Sequence, residues 1–263
     1  MISRTTGHPS QSVNLSVNQT PGAQVTLINS DSWRFEIPVG PLGSYRLAQL
    51  DDYTQLSRGR FPWKPPLSLA LCARASDNLI QGTWGFGLWN DPFSFSMGFG
   101  GSTRRLPALP NAIWFFFAAA QNHLSLRDDL PTNGNLAGIF QSPKLPSCLL
   151  IPGVMFMPFI IFPPMARLFR RLGRRVIRQE TVSFMADLTE WHHYRLVWEA
   201  QRVCFTLDNQ TILESTLSPS NPLGLVLWVD NQFFAWSPNG RFDYGNLETV
   251  LPVWVEIKEF HLE

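Results

Sequence analysis

The sequence predicts an all-β protein, a jelly-roll β-sandwich into which one amphipathic helix is inserted. Short runs of alternating apolar and polar residues recur along most of the chain, and glycine or proline clusters separate them. No helical pattern lies between the runs of the amino-terminal half, which argues against a parallel α/β sheet. At 263 residues with 44% hydrophobic content, the chain has the size and the apolar side chains for one large sandwich.

The amino-terminal half begins with a polar segment, residues 1–23, which predicts a flexible arm. Alternating runs then predict strands at 24–28, 33–39, 45–50, 67–73, 83–89, 93–98 and 112–120. Turn-forming residues, such as those at 90–92 (NDP) and 98–101 (GFGG), end these runs. Residues 24–263 are therefore expected to form a single β-sandwich domain.

The clearest strand signal lies in residues 189–217. Three alternating runs occur at 194–198, 203–207 and 211–215, and short polar breaks separate them. This spacing predicts an antiparallel meander with tight turns. Further strands are predicted near 138–141 and 181–185, and at 223–229 and 253–262.

The meander resembles the corresponding stretch of family 16 glycoside hydrolases and of the wider concanavalin A-like lectin and glucanase superfamily. The matching residues are Trp191, His192, Tyr194, Trp198, Asp208 and Asn209. Residues 83–90 (TWGFGLWN) are similar to the family's Trp-rich strand, and residues 253–262 (VWVEIKEFHL) to its closing strand. The resemblance implies a concanavalin-like jelly roll in which His192 and His193 are structural.

The resemblance does not extend to the position of the family's catalytic residues. In family 16 hydrolases, the strand after the Trp-rich strand carries two carboxylates, one to attack the anomeric carbon and one to protonate the leaving oxygen. The equivalent residues 110–121 (PNAIWFFFAAAQ) contain no acid, so we do not expect glycosidase activity by this mechanism. Depending on the strand register, the cleft-facing side chains are Ala112, Trp114 and Phe116 or Ile113, Phe115 and Phe117. Alternatively, both faces of the strand belong to the core.

An apolar cleft predicts a non-hydrolytic protein that binds an apolar small molecule or lipid and cyclises or isomerises it by acid–base chemistry. The predicted ligand-binding residues are Trp89, Trp114, Phe116, Trp228, Phe234 and Trp236. Asp230 is the first candidate for a proton donor, because it lies at a strand end and burial among aromatic residues would raise its pKa. His123 and Asp91 are further candidates, although the position of Asp91 is also typical of a turn.

A carbohydrate-binding, lectin-like module or a degenerate glycoside hydrolase is the alternative interpretation. Trp84, Trp89 and Trp236 are then the candidate platforms on which sugar rings stack. Sugar sites mix aromatic with polar side chains, whereas residues 112–120 offer no polar side chain. A clear oligosaccharide ligand would favour this alternative.

Residues 147–180 form an insertion without a counterpart in the family pattern. Its first part, residues 149–162 (LLIPGVMFMPFIIF), is uncharged but too short and too rich in proline to span a membrane as a helix. In the predicted helix that follows, residues 165–179, six arginines between positions 167 and 178 share one face, and apolar residues take the other.

This pattern predicts either a lid over an apolar pocket or a contact with an anionic membrane surface. The residues assigned to this lid or membrane contact are Arg170, Arg171, Arg174, Arg175, Phe156 and Phe159. The third interpretation is an ordinary surface helix whose apolar face docks on the sandwich.

Composition disfavours several other function classes. A net charge of +1 gives no bulk attraction to nucleic acid, and the five histidines lack the spacing of a zinc enzyme. Cys72, Cys148 and Cys204 are predicted to be buried free thiols. We expect no cofactor, with a structural calcium ion left open. Because the first 14 residues lack the apolar segment of a signal peptide, we expect a cytoplasmic protein, membrane-associated if the basic helix contacts a bilayer.

Overall fold

The computed structural model describes residues 14–92, 105–146, 149–150 and 157–263. Within these residues the strands are β1 (Ser16–Gln19), β2 (Gln24–Asn29), β3 (Ser32–Ile37), β4 (Leu47–Asp51), β5 (Leu67–Ala75), β6 (Thr83–Trp89), β7 (Ala112–Ala118), β8 (Gly134–Gln141), β9 (Arg178–Ser183), β10 (His192–Glu199), β11 (Arg202–Leu207), β12 (Gln210–Ser215), β13 (Gly224–Asp230), β14 (Gln232–Trp236), β15 (Phe242–Asn246) and β16 (Val253–Leu262). The α-helix α1 spans Pro163–Val176, and short 3₁₀ turns occur at Arg58–Arg60 and Met157–Ile161.

Two seven-stranded antiparallel sheets pack face to face and confirm the predicted β-sandwich. The sheet that we call the pocket sheet has the strand order β1-β4-β13-β6-β7-β8-β9. The second, the back sheet, has the order β12-β11-β10-β5-β16-β3-β2. Strands β14 and β15 pair with each other in a separate hairpin. Strands β6 and β16 have the boundaries predicted from the sequence.

The main core lies between the two sheets and is built by alternation along each strand. On β7, Ile113, Phe115 and Phe117 point into this core and are almost completely buried. Trp84 on the neighbouring strand stacks on Phe117, with ring centroids 3.6 Å apart and planes at 3°. The proposal of Trp84 as a sugar platform is therefore wrong, because its indole is enclosed between the sheets.

The meander β10–β11–β12 folds as predicted. The connection between β11 and β12 consists of Asp208 and Asn209, both at positive φ (48° and 65°), as a two-residue hairpin turn of type I′ requires. The Asp208 carboxylate lies 2.7 Å from Nδ1 of His192, whose Nε2 lies 2.9 Å from the carbonyl of Asp187. His192 thus joins the hairpin turn to the loop before β10, in agreement with its expected structural role.

Two regions differ from the sequence-based prediction. Ser16–Gln19, placed in the flexible arm, instead forms β1, which pairs with β4 at the edge of the pocket sheet. The hairpin β14–β15 was not predicted, because its aromatic residues do not show a simple alternation. The remainder of the expected arm up to residue 13 and the strand expected at 93–98 lie outside the described residues.

Helix α1 begins with two prolines, which suit the first turn because its N–H groups need no intrahelical acceptor. It ends at Val176, earlier than predicted, since Arg178–Ser183 pairs with β8 as strand β9. None of the described helices is long and apolar enough to cross a membrane. Cys72 and Cys204 are buried free thiols, as predicted, and Cys148 lies outside the described residues.

Candidate ligand-binding pocket

A pocket of about 300 Å³ lies on the face of the pocket sheet that points away from the main core. A second apolar cluster, separate from the main core, forms its floor. The strands β4, β6, β7, β8 and β13 contribute alternate side chains to this face, while the residues between them fill the core. One face of the pocket sheet therefore packs in the main core, and the other face lines the pocket.

Four aromatic side chains from three strands form the centre of the floor. Trp114 and Phe116 come from β7, Trp228 from β13 and Trp89 from the end of β6. The ring centroids of Trp114 and Trp228 are 5.8 Å apart, as are those of Trp89 and Trp114. This arrangement settles the strand register: Ala112, Trp114 and Phe116 face the pocket, and the intervening residues face the core.

Glycines on β6 make room for these rings. In the sequence TWGFGLW, residues 84, 86 and 88 fill the core, whereas Gly85 and Gly87 lie on the pocket side. A Cβ at Gly85 would lie 2.7 Å from the Trp228 ring and 2.4 Å from a backbone carbonyl of β7. A Cβ at Gly87 would lie 2.7 Å from Cβ of Trp114. Both positions therefore require the smallest residue.

The hairpin β14–β15 closes one side of the pocket with Phe233, Phe234 and Trp236. Trp236 is fixed from helix α1: its indole N–H donates to the carbonyl of Ala166 (3.2 Å), and its own carbonyl accepts from Arg170 (2.6 Å). All six residues predicted as ligand-binding therefore lie in the wall of one pocket. Their contact with a ligand stays a prediction.

Asp230 lies in the pocket wall at the end of β13 and is buried. Trp228 donates its indole N–H to the Thr83 hydroxyl (3.0 Å), and that hydroxyl donates to Oδ1 of Asp230 (2.7 Å). Burial raises the pKa of Asp230 to about 7, although the hydrogen bond from Thr83 opposes the shift. Near neutral pH, both protonation states of this carboxyl group are therefore populated.

Asp91 lies at the other end of the pocket, in a turn with positive φ (46°), as its sequence context indicates. Its carboxylate pairs with the partly buried Arg105, and its carbonyl accepts from Arg58. Burial raises the pKa of Asp91, and the two guanidinium groups counteract this effect. The ion pair gives Asp91 a structural partner, which makes it a weaker candidate for proton transfer than Asp230.

His123 does not belong to the pocket wall, which is a correction to its prediction as a catalytic candidate. Its backbone pairs with the hairpin: its N–H donates to Phe234 (2.9 Å) and its carbonyl accepts from Trp236 (3.1 Å). Burial and the charge of Arg170 lower the pKa of His123. We assign it the role of holding the hairpin against the sheet.

Sequence reasoning missed part of the pocket wall. The additional residues include Tyr45, which lies just before β4, and a set that shares the pocket-facing side of its strands: Leu47, Gln49, Leu136, Phe140, Val226 and Gln179. Alternation from Trp228 along β13 leads to Val226, so this residue was accessible to prediction once the register was known. The others depend on which strands are neighbours. Among the described residues, no three or more histidine, cysteine, aspartate or glutamate side chains form a group that could hold a metal ion.

The insertion residues named from the sequence are separated by the fold. Arg170 is buried, whereas Arg171, Arg174 and Arg175 are exposed. Phe159 is 47% exposed, and Phe156 lies outside the described residues. Helix α1 docks on the sandwich with part of its predicted apolar face: Met165, Phe169 and Ile177 are half-buried, whereas Leu168, Leu172 and Val176 are exposed. The expected docking by the apolar face is therefore met only in part.

No protein-family model matches the chain, and no curated protein matches it. Solved structures that are similar include a legume lectin-like domain from Entamoeba histolytica, with 9% identity and a TM-score of 0.46, over 95% of this chain and 89% of that one. A glycoside hydrolase family 16 endo-glucanase from Bacteroides ovatus has 11% identity and a TM-score of 0.47, and the match covers 92% of this chain and 84% of the endo-glucanase. The carbohydrate-binding module CBM66 from Bacillus subtilis has 9% identity and a TM-score of 0.41, and the match covers 95% of this chain and 94% of that module.

The chain spans 17% of the length of a sialidase and 62% of an endo-β-galactosidase that it also matches. At these low identities, the likeness concerns the fold alone.

Proposed function

We propose that the pocket binds an apolar small molecule and that Asp230 exchanges a proton with it. The observation that supports this proposal is the nearly continuous wall of aromatic and aliphatic side chains around Trp114, Phe116 and Trp228. Displacing water from such a wall is favourable for an apolar ligand and offers little to a polar one. A pocket of about 300 Å³ suits a ligand of modest size.

Two polar side chains of the wall, Gln179 and Asn122, support the same proposal because they already bond to the protein. Gln179 accepts from the backbone N–H of Leu126 (3.0 Å) and donates to the Thr181 hydroxyl (3.1 Å). Asn122 accepts from the N–H of Phe234 (3.0 Å) and donates to a carbonyl (3.1 Å). Sugar recognition would have to compete with these bonds, whereas an apolar ligand leaves them in place.

Asp230 can supply acid–base chemistry to such a ligand. As a neutral acid it gives a proton to a double bond or carbonyl oxygen, and as a carboxylate it takes a proton from a neighbouring carbon. The two transfers together isomerise the ligand and return Asp230 to its starting state. The aromatic wall fixes the ligand's conformation, so that the protein contributes shape and one titratable group.

Glycoside hydrolysis by two carboxylates is disfavoured at this site. The pocket-facing residues of β7 are Ala112, Trp114, Phe116 and Ala118, and none of them is an acid. The second acid of the wall, Asp91, is engaged by Arg105. A retaining mechanism needs one free nucleophile and one free acid on either side of the bond.

A sugar-binding groove is the second candidate function. It is favoured by Trp89 and Trp114, whose indoles are partly exposed and could stack on a sugar ring. This candidate predicts a specific oligosaccharide ligand on a glycan array.

Native mass spectrometry of the protein purified from its own host, followed by organic extraction, tests the proposal. We expect an apolar metabolite that co-purifies in a stoichiometric amount. A protein without bound apolar compound, together with a clear oligosaccharide signal on the array, would replace the proposal with the second candidate.

A further inference from the structure

Helix α1 presents an apolar stripe to solvent. Leu168, Leu172 and Val176, spaced four residues apart and hence on one side of the helix, are 43%, 46% and 39% exposed. The segment just before the helix continues the stripe with Ile161 (70% exposed) and Phe162 (54%). Burying these five side chains would be favourable, and the described part of the chain does not bury them.

The inward side of the helix is held by a charged residue instead of an apolar one. Arg170 is 3% exposed and donates to the carbonyls of Ser125 (2.7 Å) and Trp236 (2.6 Å), and to the carboxylate of Asp128 (2.8 Å). Ala166, one turn earlier, is fully buried. This polar attachment fixes the rotation of the helix and turns its leucines outward.

A basic stripe runs beside the apolar one. Arg167, Arg171 and Arg175 are exposed, are again spaced by four residues, and form no ion pair among the residues that the structure describes. Residues 130–179 contain no aspartate or glutamate. The exposed side of the helix is therefore both apolar and cationic, which is the complement of an anionic lipid surface.

We propose that the exposed face of helix α1, together with Ile161 and Phe162, docks on an anionic phospholipid bilayer. Leu168, Leu172 and Val176 enter the boundary between headgroups and acyl chains. The stems of Arg167, Arg171 and Arg175 lie along that boundary and place their guanidinium groups among the phosphates. A protein partner would need a groove that is acidic, apolar and of matching shape. An anionic bilayer offers negative charge and an apolar interior to any helix that lies on its surface, so no matching shape is required.

Helix α1 lies next to the pocket, so its contact with the bilayer would also bring the pocket close to the membrane. Ile177 and Gln179, which directly follow α1, line the pocket, and Trp236 joins the helix to the pocket's hairpin. A bilayer contact at α1 therefore brings the pocket close to the phase in which an apolar ligand dissolves. The relevance of this proximity rests on the proposed function, but the docking itself does not.

Sedimentation of the full chain with vesicles tests the docking. We expect binding to vesicles of equal parts phosphatidylserine and phosphatidylcholine, little binding to pure phosphatidylcholine, and weaker binding in about 1 M salt. Arg171→Glu with Arg175→Glu should reduce partitioning roughly 600-fold, because each basic residue near an anionic surface contributes about fivefold and reversal counts twice. Leu168→Ser with Leu172→Ser should reduce it about tenfold or more.

Matched controls change the same chemistry at other exposed sites. Arg60→Glu with Arg195→Glu carries the same charge change, and Leu42→Ser with Leu79→Ser removes leucines that are 72% and 80% exposed. Both controls should bind vesicles like the unmodified protein. Circular dichroism establishes that each variant is folded.

The vesicles contain no pocket ligand, so Trp114→Ala should still bind them even if the proposed pocket function fails. Absence of binding to anionic vesicles would overturn the docking proposal. Equal loss of binding in the helix variants and in their controls would also overturn it.

Discussion

The outer faces of the two sheets have opposite character. On the back sheet, Arg34, Glu256 and Arg74 from three adjacent strands form an ion-pair ladder with N–O distances of 3.1 and 2.8 Å. Arg34 also lies over the ring of Trp254, 4.5 Å from its centroid. The pocket sheet places Trp89, Trp114, Phe116 and Trp228 at its outer face instead.

This difference indicates that the apolar outer face is not a requirement of the fold. Both sheets contribute to the same core, and the back sheet shows that a charged outer face is compatible with it. Charged residues stabilise a solvent-facing surface at little cost, whereas aromatic residues there favour association with another apolar body. The aromatic floor is therefore the feature on which the proposed ligand-binding function rests.

The largest expected effect distinguishes the two faces of the pocket sheet itself. Trp84→Ala should lower the free energy of unfolding by about 3–5 kcal/mol, because it opens a cavity between the sheets. In the absence of ligand, Trp114→Ala should lower the free energy of unfolding clearly less than Trp84→Ala, because the Trp114 indole borders a pocket that already exists. Urea unfolding of both variants measures the difference, and equal losses would mean that the pocket floor is ordinary core.

The pH dependence of stability comes next in size. The pKa of Asp230 is raised from 3.8 to about 7, so the folded state binds more protons than the unfolded state between these values. Its contribution to the free energy of unfolding is therefore fully present below about pH 4 and is lost as the pH rises through 7. In Asp230→Asn, the change in the free energy of unfolding between low and high pH should be smaller by roughly 2–4 kcal/mol, since a shift of one pKa unit corresponds to about 1.4 kcal/mol.

Asp52, whose pKa burial also raises to about 7, contributes equally to both proteins and cancels in the comparison. Unfolding curves for the two proteins from about pH 3 to about pH 8 provide the test, because these limits lie about one unit outside the range of the pKa shift, 3.8 to about 7. A parallel pH dependence would mean that Asp230 ionises normally.

Replacing a pocket glycine should have an intermediate effect. Gly85→Ala places a Cβ where the Trp228 ring and a backbone carbonyl of β7 now lie, which should cost about 1–3 kcal/mol through overpacking. It should also displace Trp228 and reduce ligand retention. Gly59→Ala is the control, because no atom lies within 4 Å of the added Cβ. Similar stability of the two variants in thermal unfolding would contradict the close packing.

The smallest effect is expected on the back sheet. Arg74→Ala removes one side of the ladder and a cation–π contact with Trp191, yet its side chain is 36% exposed. We expect a loss of about 0.5–1 kcal/mol and unchanged ligand retention. A change in retained ligand, measured by mass spectrometry, would show that the two outer faces are coupled.

Much of the fold was accessible to sequence reasoning because alternation reports which side of a strand is buried. The strands β6 and β16 and the meander followed from it directly. The hairpin β14–β15 did not, because its two strands lie outside the two large sheets and lack a buried face.

The pocket was only partly predictable. Its six predicted residues occur in aromatic stretches of the sequence, whereas Tyr45 and Gln179 reach the pocket through strand neighbours that the sequence does not specify. The burial of Arg170 on helix α1 was not predicted, for a related reason. Helical periodicity identifies the faces, but the docking of Arg170 depends on carbonyls and a carboxylate that are distant in the chain.

The most direct test of the ligand-binding pocket is the amount of compound retained by two tryptophan variants purified from the native host. Trp114→Ala changes the apolar outer face, and Trp254→Ala changes the charged one. We predict that Trp254→Ala retains as much apolar compound as the unmodified protein and that Trp114→Ala retains little or none. Equal retention by the two variants would contradict the assignment of the pocket sheet as the ligand-binding face.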